Sequence, residues 1–246
     1  MTATPAHVTL GSLAVLFAAT TMLALPQPDT LSAQGGDITI APINHATLQL
    51  VHASEVIDVD PVAQGTYTGL PAPTIILITD IHSDHLDPAT VAKLKTPTTK
   101  IVCPAAAAPK LEGAIVMANG DTKTVNSVQI EGVPMYNLQR GPNPGQFYHD
   151  KGRGNGYVLT IGGRRIYIAG DTENIPEMRA LKNIDVAFVP MNLPYTMTPA
   201  EAAEAVKAFK PKIVYPYHYR GSNLNEFADA LKGTGIDVRL RDWYGQ

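Results

Sequence analysis

The sequence predicts an α+β fold in which two mixed β-sheets pack together and carry helices on their outer faces. Segments with strand character occur in both halves of the chain and outnumber the helical segments. The helical segments are inserted between strands without a strict alternation of strand and helix. Residues 74–79 form a nearly continuous apolar run, which is typical of a central strand that is covered on both faces.

The composition is that of a globular protein with a substantial core. The chain has 246 residues, of which 45% are hydrophobic and 17% charged, and its formal net charge is −3. Because there is no basic excess, nucleic acid is disfavoured as the main ligand. The one cysteine, Cys103, excludes an internal disulfide and a zinc ribbon, and we expect it to lie buried in a strand. Any bound metal ion therefore needs histidine and carboxylate ligands.

The first 33 residues predict a signal peptide. An apolar run from Leu10 to Leu25 is followed by two prolines and several small residues, although the segment contains no Lys or Arg. Cleavage near Ala33 would leave a single domain, residues 34–246, and would make the protein periplasmic or secreted without a stable membrane span. The alternatives are a membrane anchor, for which the run is short, a buried helix, or a start codon placed too early.

In the N-terminal half, alternation of apolar and polar residues predicts strands, which the central apolar run follows. The expected strands cover residues 37–40, 47–51, 56–59, 74–79 and 100–103. Asp87 as the N-cap and Pro88 in the first turn predict a short helix over 88–94. The alanine-rich segment 104–111 predicts a second helix.

In the C-terminal half, the same signals continue with a larger share of helix. The expected strands cover residues 128–133 with a continuation at 135–137, 157–161, 165–169, 185–189, 213–215 and 237–240. Gly162 and Gly163 indicate a hairpin between two of them. A capping box from Thr198 to Glu201 predicts a helix that ends near Phe209. A last helix is expected over 223–231.

Ionisable side chains are concentrated directly after the central strand. They are Asp80, His82, Asp84, His85 and Asp87. Such a group cannot pack in an apolar core unless each member has a partner or a metal ion. On an extended segment Asp80, His82 and Asp84 project to one side, so the segment can supply ligands to two neighbouring ions. The alternative is a polar loop that ends in the helix cap Asp87.

Two later strand ends carry the same kind of residue. Asp171 follows Gly170 after the strand at 165–169, and His218 follows the strand that begins at residue 213. Each is a weak indication alone, but together they add a bridging carboxylate and another imidazole. Imidazole and carboxylate ligands without thiolate suit zinc, or manganese or iron in a harder site.

The order of these motifs resembles that of the metallo-β-lactamase superfamily. The similarity is strongest to the branch with ascorbate-6-phosphate lactonase-like and N-acyl-phosphatidylethanolamine phospholipase D-like hydrolases, and it spans about residues 37–220. The family signature is His-x-His-x-Asp-His, a later His at a strand end, Gly-Asp-Thr and a last His. This chain has Asp80-Ile81-His82-Ser83-Asp84-His85, Gly170-Asp171-Thr172 and His218. The resemblance implies a four-layer αββα sandwich and a hydrolase.

The chain departs from the family pattern at two positions. Asp80 stands where the family usually has its first His, which makes that side of the site harder and more anionic. Asn137 stands at the strand end where the family often has another His. The nearest imidazole is His149 in the following loop, and we favour it over Asn137 because imidazole is the better ligand for zinc-like ions.

The resemblance implies two divalent metal ions, with Zn²⁺ favoured and Mn²⁺ or Fe²⁺ as alternatives. The implied ligands are Asp80, His82 and His149 for one ion, Asp84, His85 and His218 for the other, and Asp171 as the bridge. A metal-bridged hydroxide would then cleave an ester, lactone or phosphodiester-type bond, and Asp84 could orient it or accept a proton.

Residues near these motifs are candidates for binding a small-molecule substrate, although loop residues are often only solvated. They are Arg153, Tyr195, Tyr219 and Arg220. His45 could reach the rim of the site, but we favour a structural role for it. We expect Asp60 to orient a ligand histidine. Two alternatives to a dinuclear hydrolase stay open: a metal- or ligand-binding protein without turnover, and an enzyme with one metal ion.

Overall fold

The computed structural model describes residues 1–2 and 28–245, and its strands form two seven-stranded sheets. In the order in which they lie side by side, the strands of the first sheet are β1 (Asp29–Ala33), β2 (Gly36–Asn44), β3 (Thr47–His52), β4 (Glu55–Val59), β5 (Ile75–Leu77), β6 (Lys100–Cys103) and β7 (Ile115–Val116). The neighbours from β1 to β4 are antiparallel, and those from β4 to β7 are parallel.

The second sheet repeats this arrangement with the second half of the chain. Its strands are β8 (Thr122–Val125), β9 (Val128–Met135), β10 (Gly154–Ile161), β11 (Arg164–Ile168), β12 (Val186–Pro190), β13 (Ile213–Tyr217) and β14 (Asp237–Val238). The neighbours from β8 to β11 are antiparallel, and those from β11 to β14 are parallel. The two halves therefore share one topology, although the sequence shows no repeat to the eye.

The described helices are α1 (Pro88–Leu94), α2 (Pro176–Arg179), α3 (Pro199–Phe209) and α4 (Leu224–Ala230). The capping box of Thr198 and Glu201 forms at the start of α3 as predicted. The helix predicted over 104–111 is wrong, because the chain forms only a 3₁₀ turn at Ala108–Lys110. Pro109 lacks an N–H and clashes with the preceding turn of an α-helix, which outweighs the helix propensity of the alanines.

The core lies between the two sheets, and the helices cover the outer faces. Apolar side chains of both sheets, among them Leu50, Ile57, Leu159 and Phe188, form one buried cluster. Helix α1 packs on the outer face of the first sheet, where Cys103 is also buried, and α2 to α4 pack on the outer face of the second. The predicted α+β sandwich with four layers is thereby confirmed.

The N-terminal strand lies inside the segment that the sequence predicts as a leader. The apolar run from Leu10 to Leu25 falls outside the described residues. Strand β1 pairs with β2, and the Asp29 carboxylate accepts hydrogen bonds from Arg241 at 2.8 Å and from the Tyr215 hydroxyl at 2.7 Å. Cleavage after Ala33 would remove this strand. Within the described residues, no helix has the length and apolar character needed to cross a membrane.

The parallel strands of both sheets place polar residues at one edge of the sandwich. Asp60 follows β4, the segment Asp80–His85 follows β5, Asp171 follows β11 and His218 follows β13. Because parallel strands end on the same side of a sheet, residues far apart in sequence meet there. The fold therefore brings the ionisable side chains of both halves to a common site.

Candidate metal centre

The residues predicted as metal ligands come together in two adjoining groups. The ligand atoms of Asp84, His85, Asp171 and His218, called here the Asp171 cluster, lie within 4.8 Å of one another. The same holds for Asp80, His82 and His149, called here the Asp80 cluster. Each of the seven predicted ligands thus lies in one of the two clusters, and Asn137 lies in neither.

Asp171 lies between the two clusters and faces imidazoles on both sides. Its Oδ2 atom is 3.2 Å from His85 Nε2 and 3.1 Å from His149 Nε2, and its Oδ1 atom is 3.2 Å from His218 Nε2. Burial raises the pKa of Asp171, but the three imidazoles outweigh it and hold that pKa well below its usual range. This buried carboxylate therefore stays ionised and contacts histidines of both clusters.

Gly170 allows Asp171 to approach so closely. Its φ angle is +65°, and a Cβ atom at this position would lie 2.5 Å from the Met135 sulfur. A side chain is therefore disfavoured by the left-handed backbone conformation, and it would also displace the Met135 side chain. The backbone N–H of Gly170 donates to the Tyr217 hydroxyl at 2.8 Å, which fixes the turn before Asp171.

His85 is oriented by Asp60, as the sequence analysis expects. The Nδ1 atom of His85 lies 2.8 Å from Asp60 Oδ2, and Asp60 also accepts hydrogen bonds from the Thr79 backbone N–H and hydroxyl. Since the carboxylate only accepts, Nδ1 carries the hydrogen and Nε2 faces the centre. Burial lowers the pKa of His85, but Asp171 and Asp60 outweigh it and hold it well above its usual value.

His149 is oriented in the same way by Asn137. The Asn137 side-chain oxygen accepts from His149 Nδ1 at 2.7 Å and from its backbone N–H at 2.8 Å. The Asn137 amide donates to Glu173 at 3.0 Å, and Glu173 is buried and also accepts from the backbone N–H groups of residues 138–140. Asn137 is thus the support of His149, with Nε2 of His149 pointing to Asp171.

His45, for which the sequence favours a structural role over a place at the site rim, contacts the Asp171 cluster. Its Nε2 atom lies 3.3 Å from Asp84 Oδ2, and its ring contacts that of His218 in a tilted arrangement, with the centroids 3.7 Å apart. The Tyr244 hydroxyl lies 2.7 Å from His45 Nδ1, so the end of the chain holds this histidine in place. The available signal was its position in the β2–β3 turn, which adjoins the end of β4 at the same edge.

Asp84 is the exposed member of the Asp171 cluster. Its side chain is 46% exposed, and Oδ2 lies 3.4 Å from His218 Nε2 in addition to its contact with His45. Burial raises the pKa of Asp84, but its contacts with the His218 and His45 imidazoles outweigh it and lower that pKa. An ionised carboxylate therefore borders the open side of the cluster.

The donor atoms of the Asp171 cluster fit a divalent cation. Within residues 28–245, the buried polar atoms that lack a hydrogen-bond partner include His85 Nε2, Asp171 Oδ1 and both ring nitrogens of His218. One ligand atom from each residue of the cluster lies within 4.8 Å of the others, and His218 faces Asp171 through Nε2. Two imidazoles and two carboxylates at this spacing form a ligand set suited to zinc, manganese or iron.

The Asp80 cluster already contains a cation from the chain itself. Asp80 is fully buried, and its two carboxylate oxygens accept from Arg153 Nη2 at 2.8 Å and from Arg153 Nε at 3.2 Å. The His82 Nδ1 atom lies 3.0 Å from the same carboxylate. Arg153, predicted as a substrate-binding residue, thus lies against the side chain that replaces the usual first histidine.

A polar cleft opens beside the exposed face of Asp84. Its volume is about 340 Å³, and it is lined by Asn44, His45, Val62, Gln64, Ser83, Asp84, Asn192, Tyr195 and Arg220. Tyr195 and Arg220 thus line this cleft. The Tyr219 hydroxyl instead donates to the Arg241 carbonyl and accepts from the Trp243 N–H. Tyr219 therefore fixes the end of the chain rather than lining the cleft.

Comparisons with known proteins agree with this architecture. The profile of the β-lactamase superfamily domain matches residues 39–218. A protein from Methanoculleus marisnigri named UPF0173 metal-dependent hydrolase is 32% identical over 211 residues, which cover 80% of this chain and 91% of the relative.

Solved structures show the same fold. A crystal structure from Parabacteroides distasonis, described as that of a metal-dependent hydrolase, is similar with a TM-score of 0.82 and 47% identity over 87% of this chain and 98% of the other. A metallo hydrolase from Ignicoccus hospitalis matches with a TM-score of 0.70 and 21% identity over 85% of this chain and 96% of its own, a likeness of fold alone.

Proposed function

This chain belongs to the β-lactamase superfamily, and on that premise we propose that it is a metal-dependent hydrolase whose metal ion is held by the Asp171 cluster. The observation that carries the proposal is that His85, Asp171 and His218 have buried ligand atoms without a hydrogen-bond partner and belong to a cluster whose ligand atoms lie within 4.8 Å of one another. A divalent cation bound there supplies Lewis acidity and lowers the pKa of a coordinated water. Among the candidate metals, we favour zinc for this set of two imidazoles and two carboxylates.

The chain's own residues divide the remaining tasks. Asp60 holds His85 with Nε2 toward the centre, so that this ligand is oriented before the metal ion binds. Asp84 is ionised, borders the cleft and lies 3.3 Å from His45 Nε2, so it is placed to orient a water molecule and accept its proton. The buried surroundings exclude bulk water from the inner face of the cluster and strengthen these interactions.

The cleft supports a small polar substrate with an anionic group. Arg220 lines the cleft, and its guanidinium lies 5.1 Å from the centroid of the Tyr244 ring. Within the described residues Arg220 forms no ion pair, so its charge is available to a ligand. We propose that the scissile bond is an ester, lactone or phosphodiester bond, which places a carbonyl or phosphoryl oxygen near the cation.

Asp84 provides the sharpest test of this proposal. The purified chain, loaded with zinc, is screened for hydrolysis of ester, lactone, phosphodiester and β-lactam substrates. Against the substrate that is turned over, Asp84→Asn should lower kcat by about 100-fold or more, because the general base is lost. Asp87→Asn is the matched control, since an asparagine still caps α1 and the residue lies outside both clusters. Full activity of Asp84→Asn, or no hydrolysis with any substrate, would refute the proposal.

We also propose that the protein is exported through its N-terminal segment. The support is the apolar run from Leu10 to Leu25, and the place of β1 in the first sheet favours cleavage before Asp29 rather than after Ala33. N-terminal sequencing of the protein from fractionated native cells tests both points. An intact N-terminus in the cytosolic fraction would contradict export, and a mature chain that begins at Gln34 would contradict the shifted boundary.

A further inference from the structure

The pair of Asp80 and Arg153 bears on the number of metal ions that this chain binds. The guanidinium contacts both carboxylate oxygens, and its Nη2 atom also lies 3.4 Å from His82 Nε2. A guanidinium keeps its charge at any pH at which the protein is folded, and two parallel hydrogen bonds to a carboxylate are its most specific arrangement. Arg153 thus binds both carboxylate oxygens of Asp80 and faces the His82 imidazole, and these are groups that would bind a second ion.

The electrostatics of the two clusters point the same way. Asp80, Asp84 and Asp171 bring three negative charges to the two clusters, and one divalent cation with one guanidinium brings three positive charges. A second divalent cation would lie against the fixed charge of Arg153 in a buried setting, where screening by water is weak. No atom of Asp80 is among the buried polar atoms without a partner.

We infer that this chain binds one divalent cation, in the Asp171 cluster, and that the Arg153 guanidinium occupies the place of a second cation in the Asp80 cluster. The replacement of a histidine by Asp80 and the presence of Arg153 then form one feature, in which a buried carboxylate fixes the arginine. Asp80 Oδ2 is 3.9 Å from His149 Nε2, which is itself 3.1 Å from Asp171 Oδ2, so this fixed positive charge adjoins the centre. The inference rests on the proposed function only for the presence of the first cation.

Metal stoichiometry tests the inference without any assay of activity. The full chain is loaded with Mn²⁺, freed of excess ion and analysed by elemental analysis and electron paramagnetic resonance. Wild type should contain one ion per chain, with the spectrum of an isolated Mn²⁺. Arg153→Ala should contain two ions per chain with a spin-coupled spectrum, since the ligands of the Asp80 cluster become free.

Three further variants make the outcome decisive. Arg153→Ala combined with Asp80→His removes the buried charge that the single variant leaves unpaired, and it should also bind two ions. Arg153→Lys keeps the positive charge and should bind one, as should Arg164→Ala, which removes an arginine paired with Asp185 far from the centre. Two coupled ions in wild type, or one ion in both Arg153→Ala variants, would overturn the inference. Wild type with one ion but no hydrolysis would contradict the proposed function alone.

Discussion

The two ligand clusters share one edge of the fold but balance their buried charge differently. In the Asp171 cluster, His85 Nε2, His218 Nε2 and Asp171 Oδ1 have no hydrogen-bond partner, and among the described residues Asp171 faces histidines but no arginine or lysine, so its charge is left for an added cation. In the Asp80 cluster, the carboxylate is already held by Arg153 at 2.8 Å. Two clusters with similar histidine and aspartate ligands therefore need not both bind a metal ion. A positively charged side chain beside one cluster, here Arg153, can occupy the place of the ion.

The largest expected effect is that of replacing Asp171, the residue that touches both clusters. Asp171→Asn keeps the shape of the side chain but removes the charge that faces three imidazoles. Loss of a hydrogen-bond partner that orients a metal ligand lowers metal affinity by about 10- to 100-fold. Loss of the ligand Asp171 itself should therefore lower metal affinity by more than about 100-fold. Isothermal titration with Zn²⁺ and the hydrolysis assay measure the loss.

Asp121→Asn is a control for the Asp171 variant, because Asp121 is partly exposed, lies outside both clusters, and its carboxylate accepts a hydrogen bond from the Ala118 backbone N–H. This substitution should leave metal affinity unchanged. Metal binding by Asp171→Asn as tight as that of wild type would show that the cation is held elsewhere.

The general fold could be predicted because its strands carry strong local patterns. Continuous apolar runs and alternation located most strands, and caps located α1, α3 and α4. Strand β1 was missed because it follows the leader-like run, and the short β8 was missed although Thr122–Val125 alternates in burial. These edge strands are determined by pairing with β2 and β9, respectively, rather than by their own residues.

Site residues could be predicted only where ionisable side chains follow a strand closely in the sequence. Asp80, His82 and Asp171 follow apolar runs, so their positions at one edge follow from the topology. The pairing of Arg153 with Asp80 joins residues 73 positions apart, and the contact of His45 with Asp84 joins residues 39 apart. These contacts depend on packing of loops that no local pattern describes.

Asp58 shows how burial affects a carboxyl group that has no cation beside it. It is buried beside Gln49, which donates one hydrogen bond at 2.7 Å, and its Oδ2 atom has no partner among the described residues. Burial raises the pKa of Asp58 to about 6 from 3.8, despite this hydrogen bond. Asp58 thus lacks both an arginine and converging imidazoles.

The sign of the pH effect follows from that raised pKa. Below pH 3.8, Asp58 is protonated in both the folded and the unfolded state. Between pH 3.8 and about 6 it is protonated only in the folded state, so the free energy of unfolding falls as the pH rises through this range. Asp58→Asn should therefore be more stable than wild type above pH 6, by about 3 kcal/mol, with the gain vanishing toward pH 4. Urea unfolding of both proteins across this range measures it, and a difference that is constant with pH would contradict the shift.

Removal of the metal ion should affect the Asp171 cluster alone. At a cation concentration of about 100 times Kd, binding stabilises the fold by about 2.7 kcal/mol, so a chelator should lower Tm by roughly 5–10 °C. Arg153 is part of the chain and cannot be extracted, so the Asp80 cluster contributes nothing to this shift. The same scan on Asp171→Asn should show no response to chelator, and a shift of wild-type size there would contradict the assignment.

The smallest expected effects come from the residues that orient ligand histidines, which are Asp60 for His85 and Asn137 for His149. Asp60→Asn removes the acceptor that orients His85 and should weaken Zn²⁺ binding by about 10- to 100-fold. Asn137→Ala removes the equivalent support of His149 and should cost about 1–3 kcal/mol of unfolding free energy while Zn²⁺ affinity changes little. Titration of both variants under conditions in which they are folded gives the comparison. If Asn137→Ala weakens binding as much as Asp60→Asn, then His149 binds the same ion, and the cation lies between the clusters rather than within one of them.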